Sequence, residues 1–341
     1  MQGEEGGRWM KTVSVIMPIY NAGEYLSRSL EGLAAQTLQD MEYVLIDDCS
    51  SDGSYEIARA FQEKHPGQVV LLRTERNSGP GGARNLGLSR ASGEYIGFVD
   101  ADDEIVPQMF EKLYGRAFET GADIVDSGYY NEKLDYAMLH VSDELAGAQD
   151  DEKRSQLIVS GGYMVSKVYR RDFLEKCQLK FREKVALEDS EFITKTFAMA
   201  ENVANVKEIF YKYVFTDYSA SRERDWKRYY ENVVGAMEAN YRSVCELPHY
   251  KGIQMAVEYL IVQLYSYGVL KCLTMCGEKN REEVVGCLDQ IRALKEKTVR
   301  GAYEDNSFIC QKIPEEDIQI MRLNDGDPEG LVAAILAGKE D

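Results

Sequence analysis

The sequence has no long apolar run. Its most hydrophobic stretch, Val257 to Met275, is interrupted by Glu258, Gln263 and Lys271. It falls short of the ~20 apolar residues a membrane-spanning helix needs, and a buried helix is the expectation there. Basic residues are also scarce: 40 Lys and Arg stand against 58 Asp and Glu, a formal net charge of −18. A protein that follows a nucleic-acid backbone needs a basic face, which excludes nucleic acid as the partner but not a local basic pocket. The three histidines, His65, His140 and His249, form no metal-ligating motif and read as surface residues. Seven cysteines are scattered, an odd number. Cys272 and Cys276 lie i, i+4 with no further soft ligand nearby, which argues against zinc. No basic-then-apolar leader opens the chain, so reduced thiols in a cytoplasm are the expectation. Tyrosine is plentiful, at 22 residues. Most read as half-buried core, and some as platforms for stacking sugars.

What is present is an alternation of strand and helix from Thr12 to about Tyr130. The apolar runs Val13 to Met17, Glu42 to Ile46, Val69 to Leu72, Tyr95 to Val99 and Asp123 to Val125 read as buried strands. Between them, Tyr25 to Leu33, Ile57 to Phe61, Ala83 to Ser89 and Val106 to Phe118 carry helical spacing. Asn21 with Glu24 reads as a capping box opening the first helix. Such β-α repeats with short links predict a doubly wound, mostly parallel α/β sheet with helices on both faces. Residues 134–153 are acidic and without clear period, a surface excursion. From Trp226 the spacing is helical. Asn280 with Glu283 and Asp327 before Pro328 mark further helix starts. Three segments are expected: a flexible N-terminus (1–11), a nucleotide-handling domain (12–220) and a C-terminal helical region (221–341).

The strands end in chemistry. The fourth runs into Asp100-Ala-Asp-Asp103. Acids at i and i+2 of an extended chain share one side, and open α/β sheets bind ligands at their carboxyl edge. Hard oxygen ligands there suit Mg2+ or Mn2+, which suits a diphosphate; a cap of the next helix by Asp102 or Asp103 is the plainer alternative. The first strand exits as Pro18-Ile-Tyr-Asn21: Pro18 removes a donor and fixes the turn, and Tyr20 and Asn21 could stack on and bond a nucleobase, or form only a strand-turn-helix junction. The second exits at Asp47-Asp48, where a carboxylate can accept from a base or ribose, while Ser51 or Asp52 caps a helix. In Arg76-Asn-Ser-Gly-Pro-Gly-Gly-Ala-Arg-Asn85, glycines such as Gly81 allow close approach of an anion and Arg84 adds a fork for carboxylate or phosphate. The loop lacks the third glycine of a dinucleotide fingerprint and the Gly-Lys-Ser/Thr of a phosphate loop.

Together, Val13 to Asn21, Val44 to Ser54, Gly79 to Asn85, Gly93 to Asp103, Ser166 to Leu174 and Leu187-Glu-Asp-Ser-Glu-Phe192 resemble glycosyltransferase family 2. The resemblance covers about residues 12–220 and implies the GT-A fold and a nucleotide-diphosphate sugar donor, with UDP-sugar the leading choice. It implies that Tyr20, Asn21 and Asp48 hold the nucleoside, that Asp100 faces the ribose or diphosphate, and that Asp102 binds Mn2+ or Mg2+. Pro18, Gly81, Arg84 and Ala101 are counted with the donor-binding residues. Asp189 would be the catalytic base: a sugar hydroxyl is a poor nucleophile and needs its proton taken as it attacks. A helix cap is the alternative role for Asp189.

The expected activity is therefore inverting, metal-dependent hexosyl transfer to a glycan or lipid-linked acceptor in cell-surface polysaccharide synthesis. The Gln/Arg-x-x-Arg-Trp string of processive members is absent, which points to addition of one or few sugars. A cytoplasmic enzyme is expected, with contact at the inner membrane face and homo-oligomerisation left open. Two alternatives are a sugar-1-phosphate nucleotidyltransferase, which wants a Gly-rich loop with Lys after the first strand, and a non-catalytic nucleotide-sugar binder.

Overall fold

The structure, a computed structural model, describes residues 11–215 and 225–338. The segment expected to be flexible (1–11) lies outside them save for Lys11, as does the expected boundary at 220/221. Among the described residues, 11–149, 162–184 and 199–215 form one compact unit, and 150–161, 185–198 and 225–338 form a second.

The first unit is built on a ten-stranded sheet. Its strands are β1 (Val13–Ile19), β2 (Glu42–Asp47), β3 (Val69–Arg73), β4 (Tyr95–Phe98), β5 (Glu104–Ile105), β6 (Ile124–Asn131), β7 (Tyr136–Met138), β8 (Gly147–Ala148), β9 (Lys167–Arg170) and β10 (Asn202–Tyr213). The order is β3-β2-β1-β4-β9-β6-β10-β5, with β7 on β6 and β8 on β10. β1, β2, β3 and β4 pair in parallel, as their unbroken apolar runs predict, and every residue of β2 is buried. β9 breaks the expected pattern: it lies antiparallel to both β4 and β6. β6 and β10 are again parallel. The helices of this unit are α1 (Gly23–Ala34), α2 (Ser54–Lys64), α3 (Gly79–Leu88), α4 (Met109–Thr120) and α6 (Arg171–Cys177). Gly97 admits α4 to the sheet, since a Cβ there would stand 2.5 Å from the Phe110 ring.

The expected Asn21–Glu24 capping box does not form. Asn21 is left-handed, at φ 47°. The loop after β2 instead accepts the entry amides of α1: Asn21 N–H donates to Ser50 Oγ (3.1 Å), Ala22 N–H to Ser54 Oγ (2.9 Å) and Gly23 N–H to Asp52 Oδ2 (2.9 Å). Residues 134–153, expected as an excursion, hold the short strands β7 and β8.

The second unit is helical: α5 (Asp151–Ser160), α7 (Glu188–Met199), α8 (Trp226–Val244), α9 (Tyr250–Met275), α10 (Arg281–Thr298), α11 (Ser307–Lys312), α12 (Glu315–Gly326) and α13 (Pro328–Ala337). α9 is the expected buried helix. It is apolar on most of its circumference because α5, α8, α10, α11 and α12 all pack on it. Its buried Glu258 accepts from Gln254 (2.7 Å) and from Arg300 N–H (3.1 Å). Among the described residues, no helix is long and apolar enough to cross a membrane. Asp327 caps α13 at Gly330 N–H (2.9 Å), as expected, whereas Asn280 turns back to accept from Gly277 N–H (2.7 Å).

Two asparagines of α8 hold α7 and the chain that enters it. Asn232 accepts from Ala186 N–H (3.1 Å), and the fully buried Asn240 accepts from Thr194 Oγ1 (2.6 Å) while donating to Ser190 Oγ (3.0 Å). Asn240→Ala removes both of these hydrogen bonds, leaving Thr194 Oγ1 only its bond to Ser190 O (2.9 Å). It should lower the unfolding free energy by about 1–3 kcal/mol, read as a lower urea midpoint with unchanged slope. An unshifted midpoint would mean that these bonds contribute no net stability.

Candidate active site

The parallel register sets the exits of three strands along one edge: Ile19 lies opposite Asp47, and Ile16 opposite Phe98. Tyr20 and Asn21 follow β1, Asp48 follows β2, and Asp100 to Asp103 follow β4. Pro18 does not end its strand, as expected from its missing donor, but lies within β1 opposite Ile46. By then β4 has stopped pairing, so β1 has only one neighbour to satisfy.

Tyr20 presents its ring, 53% exposed. Asn21 is exposed, and its Oδ1 accepts from Ser51 N–H (2.9 Å), tying β1's exit to β2's. Asp48 is buried. Its Oδ1 accepts from Thr74 Oγ1 (2.8 Å), Ser78 Oγ (2.7 Å) and Ser78 N–H (2.9 Å), and Oδ2 shares that last donor (3.0 Å). Asp48 thus fastens the loop after β3 to the exit of β2, and most of its remaining acceptor capacity is on Oδ2. Asp47, of opposite strand parity, is wholly buried and pairs with Arg73 (3.0 Å), whose guanidinium lies 4.6 Å from the Tyr55 ring centroid.

The glycines of residues 79–82 do not open onto a ligand in the way the sequence suggests. A Cβ on Gly81 would stand 2.0 Å from the Arg182 carbonyl oxygen, and one on Gly79 2.9 Å from Lys184 N. Lys184 N–H donates to Ser78 O (2.9 Å), and Asn85 exchanges hydrogen bonds with the Phe181 backbone (2.9 Å each). The close approach expected of a phosphate at Gly81 is made by the chain's own segment 181–184. Gly81→Ala should therefore cost about 1–3 kcal/mol by overpacking against backbone, measured as a lower melting temperature. An unchanged melting temperature would show that the segment yields freely.

Arg84 is buried and gives its fork to a carboxylate: Nη2 donates to Asp100 Oδ1 (2.8 Å). The turn beyond Asp100 is held from several sides. Ser29 Oγ contacts the carbonyls of Ala101 (2.9 Å) and Asp103 (2.7 Å), and Arg28 donates to Asp102 O (2.8 Å). Asp103, 1% exposed, accepts from Tyr211 O–H (2.6 Å) and Val214 N–H (2.8 Å), while Asp100 N–H donates to the same phenol oxygen (3.1 Å). Burial, with the charges of Asp100 and Asp102, pushes the Asp103 carboxyl well above the usual range. Asp103 is thus an internal strut, bonded to β10 rather than capping a helix. Its partner Tyr211 carries no sequence signal, because the two are far apart along the chain.

Among the described residues, no three His, Cys, Asp or Glu side chains form a metal cage. Mg2+ and Mn2+ ask for less, namely one or two carboxylates completed by substrate phosphates and water. Asp100 and Asp102, neither fully buried, fit that donor set. Asp189 belongs to the second unit, in the first turn of α7.

A family model described as Glycosyl transferase family 2 matches residues 14–177. The chain belongs to glycosyltransferase family 2. This glycosyltransferase is 29% identical over 255 residues to the uncharacterized glycosyltransferase YibD of Escherichia coli, across 69% of this chain and 72% of the relative. It is 30% identical to the putative glycosyltransferase EpsH of Bacillus subtilis, across 67% of each. Staphylococcus aureus TarS 1–349, solved with UDP-GlcNAc, matches with a TM-score of 0.71 over 92% of this chain and 90% of that one. At 20% identity this likeness is one of fold, and the fold is GT-A. The family match runs from β1 to the end of α6. It includes the exits of β1, β2 and β4 and stops short of Asp189.

Proposed function

We propose that this glycosyltransferase moves a sugar from a UDP-sugar to a hydroxyl of a glycan or lipid-linked acceptor, inverting the anomeric carbon. The observation that carries the reading is the set of groups gathered at one sheet edge: the Asp48 carboxylate after β2, the exposed Tyr20 ring after β1, and the Arg84-anchored Asp100 with Asp102 after β4. The first two offer a nucleoside an acceptor and a stacking face, and the last two suit a diphosphate with its cation. The UDP-GlcNAc bound by TarS supports uridine as the nucleoside.

In this reading the Tyr20 face stacks on uracil and Asp48 Oδ2 accepts a donor N–H or hydroxyl. Arg84 holds Asp100 in one orientation, so its second oxygen can meet a ribose hydroxyl or the diphosphate assembly. Asp102 with Asp100 would hold Mn2+ or Mg2+, which when bound neutralises the charge that develops on the leaving UDP. Asp189 takes the acceptor's proton as its oxygen attacks the anomeric carbon and the bond to the diphosphate breaks.

Asp48→Ala tests the donor half. Affinity for UDP and for UDP-sugar should fall by a similar factor in calorimetry, because the lost contact is to the nucleoside. Loss confined to the sugar-bearing ligand would reject the assignment. Slow release of UDP from UDP-sugar with Mn2+ is expected of the wild type, whereas pyrophosphate exchange would point to nucleotidyl transfer.

A further inference from the structure

The mechanism leaves one group of buried charges and rings in the first unit without a role. Lys167 and Asp126 form an ion pair (2.7 Å) whose side chains are 0% and 2% exposed. A buried pair gains little net stability over apolar packing, so what it holds is informative. Lys167 Nζ also donates to Tyr163 O (2.8 Å), and Asp126 accepts from Val141 N–H (3.2 Å) and Ser166 Oγ (3.1 Å). The pair therefore clamps two loop segments that bring His140 and Tyr163 together. Gly162, at φ +103°, lets the chain pass the His140 ring, which a Cβ would approach to 2.7 Å. His140 is thus buried, not at the surface as expected. It stacks on the buried Tyr129 at 5.4 Å and 12°, and Tyr129 meets the edge of Tyr163 at 4.4 Å. On this base Tyr163 stands 36% exposed, its ring within 13° of parallel to that of Tyr213 at 6.3 Å between centroids.

The place of these rings is fixed by register. β4 and β6 both run antiparallel to β9, and β10 is parallel to β6, so all three open to one edge. Val168 lies opposite Gly97, which brings the chain just before β9 beside the exit of β4. Tyr213 lies opposite Asn131 at the far end of β10. The rings thus lie beside β6 and β10, two and three strands from β4, and next to the turn that follows β4: Val214 N–H donates to Asp103 (2.8 Å) and Asp100 N–H to the Tyr211 phenol oxygen (3.1 Å). They lie on the side away from β1 and β2. On the donor reading above, the base and ribose lie on the β1 and β2 side of Asp100 and Asp102, and the aromatic pair lies on the other side.

We propose that Tyr163 and Tyr213 are the platform on which the acceptor's pyranose ring stacks. This rests on the donor reading above. A pyranose presents a face of C–H groups, which suits the negative face of an aromatic ring, while the phenol oxygens can bond its hydroxyls. The buried ion pair, in this view, presets the platform so that its geometry does not have to be gained on binding.

The test uses the full chain with UDP and Mn2+, and octyl β-D-glucopyranoside and octyl β-D-galactopyranoside as probes, read by saturation-transfer NMR. Ring C–H signals are expected from at least one hexoside with the wild type. Tyr163→Ala and Tyr213→Ala should each weaken the probe roughly three- to tenfold, the scale of one aromatic contact. Tyr163→Phe should retain it, because the face does the stacking. UDP-induced thermal stabilisation should be unchanged in all three. No hexoside signal from the wild type, or equal signals in both Ala variants, overturns the platform. Hexoside binding without any UDP stabilisation would keep the platform and strike the donor reading instead.

Discussion

Asp189→Asn should slow sugar transfer by about 10²–10⁴, the usual loss when a positioned base is removed, while leaving donor affinity nearly unchanged. The amide keeps the shape of the carboxylate and removes its basicity. Asp189 stands in the first turn of α7, a helix that Asn240 holds to α8 and whose entry Asn232 holds at Ala186. A carboxylate in a first helical turn also contributes about 0.3–1 kcal/mol through the helix dipole. The variant's melting temperature therefore separates a small stability loss from a large kinetic one. The product anomer should be opposite to the donor's. A retained anomer, or wild-type turnover in the Asn variant, removes Asp189 from the role. Because the family match ends at residue 177, this assignment stands apart from the donor residues and can fail without them.

Three strands are legible in the sequence because their signal is local. β1, β2 and β4 are short β-branched or aromatic runs, and each stops at residues that cannot continue an apolar strand. What each exit residue touches was not legible. Asp48 is adjacent to β2, but whether its oxygens face a ligand or Ser78 depends on a loop from a different β-α unit. Gly81 announces a missing Cβ and not what fills the gap, which is Arg182. β9 escaped notice because Lys167-Val-Tyr-Arg170 has a charge at each end, and its Lys is acceptable in a buried strand only because Asp126 lies beside it. The same distance in sequence hid Tyr211 from Asp103. The helical unit was readable by period from Trp226 onward. That α5 and α7 join it depends on contacts a one-dimensional pattern does not carry.

Asp102→Ala should abolish metal-dependent transfer and erase the gain in UDP affinity that Mn2+ provides. The three acids after β4 are distinguished by their surroundings. Asp103 is buried against Tyr211 and Val214, and Asp100 is held by Arg84. Asp102 is half-buried, on a turn whose carbonyls are pinned by Arg28 and Ser29. A half-buried carboxylate on such a pinned turn suits a small, hard cation shared with a diphosphate. The consequence can be read without catalysis. A ligand that binds only the folded state raises stability by about 2.7 kcal/mol at a hundredfold excess over Kd. UDP with Mn2+ should therefore raise the wild-type melting temperature more than UDP alone, and in Asp102→Ala the two rises should be equal. Asp103→Asn is the contrast: it disturbs the strut, so the apo melting temperature should move while the Mn2+ increment persists. Transfer at the wild-type rate by Asp102→Ala, or by the wild type in excess EDTA, would exclude Asp102 as the metal ligand. An Mn2+ increment that survives the Ala substitution would do so even if activity were lost.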